Sequence, residues 1–390
     1  MKVAVIDGQI NTSVPMLTGA NVSVREPSFC AVSDGSTQVL PANTTVMSHD
    51  SFHGTNVTAM ISGTGVGYDG GAATAGMAPD AQVRFYSISD GTDAGNKLHC
   101  NVAGDDGGAS GFARAVVAAV DDGAQIISYS ISALLVGSDK DAVAWALHQG
   151  VIVVGGLPNE WLDSGTSAEI NGVVAVAAVD ENLQPASGDA VQGPVNYGRV
   201  TVRAAGVGMF NQGTVESGSW QTRKTDAAGT SLATPLVAGM LADVWSRYPK
   251  ATSNQILQSL IHNTGGQDHA LDYDPVLGYG LASVVHMLTV DPTQYPDVNP
   301  LIAQGSQEAW NLTAEQIAQA QRPAWAPALA TPSPSASVAP VVPSPSGGLG
   351  VWVWVIGGGV ALLLVVILVV VLATRRRPDP QAPAAPSRQT

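Results

Sequence analysis

Three polar residues have types and positions that could act together on a substrate. Asp7 ends the apolar run VAVI, His53 opens the segment HGTNVTAM, and Ser231 closes the tripeptide GTS before a long apolar stretch. A serine hydroxyl becomes a good nucleophile when a base takes its proton. Histidine is suited to that task, and a carboxylate holds the imidazole in the required tautomer. The order Asp, His, Ser therefore predicts nucleophilic catalysis.

Each of these residues has a simpler interpretation when it is taken alone. An Asp after a strand is commonly a turn or cap residue, a His before Gly-Thr commonly only opens a helix, and a Ser in GTS is commonly an N-cap. Their context together favours catalysis, because the carboxyl ends of parallel strands are where such sheets hold their active sites. A serine at a helix N-terminus also has unpaired backbone N–H groups beside it, which favour an oxyanion.

The elements that would position these residues alternate between strand and helix. Apolar runs of strand length lie at residues 3–7, 81–89, 124–132, 151–156 and 172–180. Helical spacing is found at residues 53–60, 111–123, 141–150 and 231–249. This alternation predicts a doubly wound α/β domain over residues 1–291, with a mostly parallel sheet flanked by helices.

The composition changes after this domain. Residues 292–350 are rich in Pro, Ala and Ser and predict an extended linker, with one short amphipathic helix in NLTAEQIAQAQ. Residues 351–373 are uncharged and long enough for a transmembrane helix, and the arginines at 375–377 follow directly. A buried core helix is the alternative, which the flanking residues disfavour. The arginines predict a cytoplasmic tail at 374–390 and a large domain on the outer side of the cell membrane.

Three blocks of the sequence carry a resemblance to a known family. VAVID, HGTNVTAMISG and GTSLATPLVAG resemble the signature blocks of the subtilisin-like serine proteases, whose triad order is Asp, His, Ser. The resemblance implies a subtilisin-like fold, with Asp7 as the orienting acid, His53 as the general base and Ser231 as the nucleophile. A protease domain followed by a linker, one membrane span and a basic tail is most similar to the mycosins, which are membrane-anchored proteases associated with type VII secretion.

The resemblance also implies residues for the oxyanion and the substrate. Asn159 in VIVVGGLPNEW matches the family's oxyanion asparagine, and a turn residue after Pro158 is the alternative interpretation. We expect the substrate to bind as an extended strand between two edges of the site. The substrate-binding residues would be Ser130, Ile131 and Ser132 on one side and Gly155, Gly156 and Leu157 on the other.

The charge and the cysteine content bear on nucleic-acid binding, metal binding and disulfide formation. The net charge of −14, with only 17 Lys and Arg residues, argues against a nucleic-acid partner. Cys30 and Cys100 are too few for a metal cage and predict a disulfide in an oxidising compartment, with two unpaired thiols as the alternative. The acidic, glycine-rich residues 90–108 lack the spacing of a calcium loop and indicate a solvated loop. We therefore expect no metal and no cofactor.

The sequence thus predicts a membrane-anchored serine endopeptidase that cleaves exported proteins, with secretion-system components as further partners. The competing hypothesis is a weak or inactive subtilisin-like scaffold of a secretion machine. It is motivated by Gly8 and Gln9 after the acid, where the family has a hydroxyl residue and glycine, and by Pro158 and Ser132, where it has glycine. The given sequence also starts directly on a predicted strand, without a signal peptide or pro-segment, and we expect either a true start further upstream or a trimmed chain.

Overall fold

The apolar run that opens the chain is an interior strand of a parallel sheet. The computed structural model describes residues 1–32, 38–91, 108–131, 136–160, 165–186, 188–189, 193–194, 199–302 and 312–327. The sheet has seven strands, and the first strand lies between the strands that contain Phe85 and Ile127. All of its pairings are parallel.

The described strands and helices have the following bounds. The strands are β1 Lys2–Asp7, β2 Val22–Arg25, β3 Thr64–Val66, β4 Ala72–Ala75, β5 Gln82–Ser87, β6 Ile126–Tyr129, β7 Ile152–Gly156, β8 Val174–Val179, β9 Gly188–Asp189, β10 Gly193–Pro194, β11 Val202–Ala205, β12 Met209–Thr214 and β13 Ser219–Ala227. The helices are α1 His49–Ser62, α2 Gly111–Asp121, α3 Gly137–His148, α4 Thr230–Arg247, α5 Ser253–His262, α6 Val284–Met287 and α7 Ala314–Ala318. The order of strands across the large sheet is β11-β8-β7-β6-β1-β5-β2.

Each central strand supplies apolar side chains to both faces of the sheet. In β1, Val3 and Val5 pack into the core that contains α1, α4 and α5, whereas Ala4 and Ile6 pack into the core that contains α2 and α3. This division follows from the period of two in a strand, which sends successive side chains to opposite faces. The result is a three-layer α/β domain, and it confirms the predicted fold class.

The helix that contains His53 begins earlier than the sequence analysis predicts. Ser48 is its N-cap: the Ser48 hydroxyl accepts the Ser51 N–H at 3.1 Å, and the Ser51 hydroxyl accepts the Ser48 N–H at 2.9 Å. A serine takes the place where a glutamate or glutamine usually completes such a capping box, so the sequence signal is weak. His53 consequently lies in the second turn of α1 and not at its start.

The chain stays packed on the domain beyond residue 291, where the sequence analysis places the start of the linker. Leu312 and Ile317 are buried in the core on the side of α2 and α3. Arg322 donates to the carboxylate of Asp121 from Nη2 at 2.8 Å and from Nε to both carboxylate oxygens at 3.1 and 3.3 Å. Residues 312–327 therefore belong to the domain, because the apolar side chains of the predicted short helix bury there.

The membrane segment predicted from the sequence lies outside the part of the chain that the structure describes. This holds for residues 351–373 and for the tail at 374–390. Within the described ranges, no helix has both the length and the apolar character needed to cross a bilayer. The transmembrane helix and the cytoplasmic tail remain predictions.

Gly54 provides a test of how tightly α1 packs on the end of β1. An ideal Cβ on Gly54 would overlap the carbonyl oxygen of Gln9 and lie 2.9 Å from Cζ of Phe85. We expect Gly54→Ala to lower the free energy of unfolding by about 1–3 kcal/mol, because the helix must move to make room. Urea denaturation of the purified chain measures this change.

Gly137→Ala at the start of α3 is the matched control. A Cβ there meets nothing within 4 Å, so the same methyl group should leave stability unchanged or slightly higher. Equal unfolding free energies for the two variants would contradict the packing described here.

Candidate active site

The carboxylate of Asp7 and the imidazole of His53 are in direct contact. The interior strand β1 ends at Asp7, and α1 packs against this strand. Asp7 Oδ1 is 2.8 Å from His53 Nδ1 and also accepts the N–H of Gly8 at 2.8 Å. An ionised carboxylate can only accept, so the proton lies on Nδ1 and the lone pair of the imidazole lies on Nε2. His53 therefore has the tautomer that a general base requires.

The environment of His53 shifts its proton affinity. Burial lowers the pKa of His53, whereas the charge of Asp7, the hydrogen bond with Asp7 and the charge of Asp50 raise it, and the net pKa lies above the ordinary value of 6.5. The Nε2 atom is buried and has no hydrogen-bond partner among the described residues. Such a nitrogen is available to a hydroxyl proton that approaches it.

Ser231 is held at the N-terminus of α4 by two hydrogen bonds with Ser130, next to the end of β6. The Ser231 hydroxyl donates to the carbonyl oxygen of Ser130 at 3.0 Å, and the Ser130 hydroxyl donates to the carbonyl oxygen of Ser231 at 2.9 Å. Pro235 explains the second bond: it has no N–H and leaves the Ser231 carbonyl without its helical donor. Ser130 supplies that donor.

Asn159 lies beside the same helix start. Its side-chain oxygen accepts the N–H of Thr230 at 2.8 Å, which leaves the amide nitrogen Nδ2 as the donor group of an exposed side chain. Gly229 precedes the helix with φ +151°, and a Cβ there would lie 3.3 Å from Asn159 Nδ2. The backbone N–H of Ser231, in the first turn of α4, and the side-chain amide of Asn159 therefore both lie at the N-terminus of this helix.

Some of the predicted substrate-binding residues lie next to Ser231, and others are buried in the core. Gly156 brings β7 next to Ser130, since a Cβ on Gly156 would lie 3.5 Å from the Ser130 Cα. Leu157, in contrast, is buried in the core and its N–H binds the Val176 carbonyl, so its side chain does not line the site. The structure also places Ile131 in the core and packs Gly155 against the Tyr129 ring, while Ser132 lies outside the described residues.

The structure describes only the first of the two cysteines. Cys30 is fully buried among side chains on the side of α2 and α3. Cys100 lies outside the described residues. Their pairing stays a prediction.

Sequence reasoning missed Asp50, a buried acid in the first turn of α1. Its carboxylate accepts a hydrogen bond from the hydroxyl of Ser89, and its side chain packs directly on the Cα of Gly8. The sequence analysis starts this helix at His53, whereas α1 begins at His49. Asp50 therefore fell outside the predicted helix. Gln9 turns its side chain away to donate to the Pro41 carbonyl at 2.7 Å, so its bulk is accommodated.

The parallel sheet, the Asp7–His53 pair and the serine at a helix N-terminus together define an α/β protein of the serine-hydrolase type. The family model of the subtilases matches residues 1–280. The chain therefore belongs to the subtilase family of serine proteases.

Curated relatives agree with this assignment. The thermostable alkaline protease of Halalkalibacterium halodurans is 31% identical over 210 residues, which cover 53% of this chain and 51% of that protein. Subtilisin NAT of Bacillus subtilis subsp. natto is 28% identical over 267 residues, covering 67% of this chain and 59% of that protein. The chain thus spans about half the length of the curated relatives it matches.

Solved structures share the fold. The prenylagaramide maturation protease PagA superposes with a TM-score of 0.53 at 21% identity, covering 74% of this chain and 93% of that chain. Fervidolysin from Fervidobacterium pennivorans, described as a keratinolytic enzyme related to subtilisin, gives a TM-score of 0.54 at 22% identity and covers 76% of this chain and 43% of that chain. At these identities the comparison establishes the architecture alone.

The electrostatics of His53 make a prediction that does not depend on turnover. NMR titration of the imidazole should give a pKa above 6.5, and Asp7→Asn should lower it, because burial then outweighs the remaining favourable charge. A raised folded-state pKa stabilises the protein fully below about pH 6.5, and this contribution is lost as pH rises through the folded pKa. The variant should therefore lose stability mainly at low pH. An unchanged His53 pKa in Asp7→Asn would contradict the charge assignment.

Proposed function

We propose that this protein is a membrane-anchored serine endopeptidase of the mycosin-like kind, which hydrolyses peptide bonds of exported proteins. The observation that carries the catalytic part of the proposal is the 2.8 Å contact between Asp7 Oδ1 and His53 Nδ1 on α1, together with Ser231 at the start of α4, a helix that packs against α1. Membership of the subtilase family supports the reaction class.

Acylation would begin when the Ser231 hydroxyl leaves the Ser130 carbonyl and turns to His53 Nε2. The Oγ–H proton passes to Nε2 while Oγ bonds to the carbonyl carbon of the substrate. The negative charge that develops on the carbonyl oxygen is stabilised by the Ser231 N–H and by Nδ2 of Asn159. Collapse of this intermediate breaks the C–N bond, and the leaving amine takes the proton from Nε2.

Deacylation repeats these steps with water. Nε2 of His53 takes one proton from water as its oxygen bonds to the acyl carbon, and the same two donors hold the oxyanion. The bond to Ser231 Oγ then breaks and the serine takes back the proton. Asp7 stays ionised throughout and stabilises the imidazolium that forms twice in the cycle.

The location of this activity is inferred from the sequence. Residues 351–373 are apolar over a length that suits a bilayer, and the arginines at 375–377 favour a cytoplasmic position for the tail. The protease domain would then act on the outer side, on protein or peptide substrates. Secretion-system components are the further partners that the mycosin-like arrangement suggests.

A second candidate function is a non-catalytic scaffold. It is favoured by one observation: the Ser231 hydroxyl donates to Ser130, while His53 Nε2 has no partner among the described residues. An active enzyme must exchange one hydrogen bond for the other when substrate arrives. A scaffold need not.

A fluorophosphonate probe separates the two functions, since it reacts only with an activated serine. We expect stoichiometric labelling of the full chain, loss of labelling in Ser231→Ala, and a large loss in His53→Ala. Circular dichroism confirms that each variant is folded. A folded wild-type protein that stays unlabelled would overturn the protease and leave the scaffold as the remaining candidate.

Asn159→Ala tests the second oxyanion donor. We expect the maximal rate of a peptide substrate to fall about 10²–10³-fold with little change in KM, the size of effect found for such a donor in subtilisin. Glu160→Ala, at the exposed neighbouring position, is the control and should keep a near wild-type maximal rate. Equal rates for wild type and Asn159→Ala would remove Asn159 from the mechanism.

A further inference from the structure

Asp50 is a buried carboxylate that joins three elements around the site. It lies in the first turn of α1 and is 8% exposed. Its carboxylate accepts the hydroxyl proton of Ser89, which follows β5, and its backbone carbonyl accepts the N–H of Gln9 at 3.3 Å, which follows β1. One acid therefore connects the start of α1 to the ends of two adjacent strands.

The position of Asp50 depends on the absence of a side chain at residue 8. An ideal Cβ on Gly8 would lie 2.7 Å from Cβ and 2.9 Å from Cγ of Asp50, distances that real Cβ atoms do not adopt. Gly8 also donates its N–H to Asp7 Oδ1. Gly8 therefore lies against both acidic residues, Asp7 and Asp50.

Asp50 and His53 are three residues apart on one helix, a spacing that brings side chains together. The charge of Asp50 is one of the two negative charges that raise the pKa of His53; the other is that of Asp7. A buried charge acts more strongly on a neighbour than an exposed one does, because solvent screens it less.

The other elements packed on α1 add few ionisable groups near the imidazole. The described residues of β4, of β12 and of the first two turns of α4 contain none. In β5, Arg84 and Tyr86 both turn to Asp122 at the opposite end of the sheet. The loop after β5 adds the buried Asp90, and α1 itself adds His49.

We propose that Asp50 is a positioning residue of the site, whose buried carboxylate stabilises the imidazolium form of His53 and fixes α1 against the end of β1. The arrangement gives His53 one carboxylate in direct contact and a second at the distance of one helical turn. The catalytic consequence rests on the proposed function, whereas the effect on His53 itself does not.

The test is Asp50→Asn in the full chain, because asparagine keeps the size of the side chain and can still accept the Ser89 hydroxyl. NMR titration should show a lower pKa for His53 than in wild type. The acid limb of the fluorophosphonate labelling rate should move to lower pH in the same direction, because the base loses its proton more readily. Thermal unfolding should remain cooperative.

Two further variants separate charge from packing. Ser89→Ala removes the hydrogen bond but keeps the carboxylate, so the pKa of His53 should not fall. Asp141→Asn removes an exposed acid on α3 and should leave both the pKa and the acid limb at wild-type values. An unchanged His53 pKa in Asp50→Asn, or an equal downward shift in Ser89→Ala, would overturn the proposal.

The two readouts keep this proposal distinct from the proposed function. If no variant and no wild-type protein reacts with the probe, the protease is refuted, and the NMR titration still decides the role of Asp50. If labelling is normal and the pKa of His53 is insensitive to residue 50, the protease stands and the role of Asp50 falls.

Discussion

The hydrogen bond between Asp7 and His53 is the contact on which the rest of the site depends. It requires that the carboxyl end of a buried strand and the second turn of a helix meet within 2.8 Å. Gly8 and Gly54 permit that approach, since a Cβ on either residue would overlap an atom of the opposing segment. The bond then fixes the imidazole tautomer, and the tautomer decides which nitrogen can accept the proton of a nucleophile.

Much of this arrangement is visible in the sequence because it rests on local patterns. The buried strands 3–7 and 151–156 were predicted from unbroken apolar runs, and the structure confirms both as central strands. The start of α1 was not predicted, because Ser51 takes the place of the glutamate or glutamine that usually completes a capping box. Asp50 was missed for the same reason. The position of Asp50 is set by tertiary contacts with Gly8 and Ser89, and residue spacing along the chain does not reveal such contacts.

The substrate edges show where sequence spacing fails for a different reason. Each predicted run extends past the end of its strand, because β6 ends at Tyr129 and β7 ends at Gly156. Leu157 and Ile131 follow these strand ends, and both are buried in the core on the side of α2 and α3. Gly156, the last residue of β7, lies next to Ser130, which follows β6, and Ser130 is hydrogen-bonded to Ser231.

The anchoring of Arg322 on Asp121 holds the last described residues of the chain on the domain. α2 runs antiparallel to the strands and ends just before β6 begins, so Asp121 lies at the edge opposite to Asp7. Arg322 also binds the carbonyl oxygen of Pro327, the last described residue. This two-pronged ion pair lies about one strand length from the Asp7–His53 bond, so the contacts that hold the last described residues on the domain are separate from those that form the candidate active site.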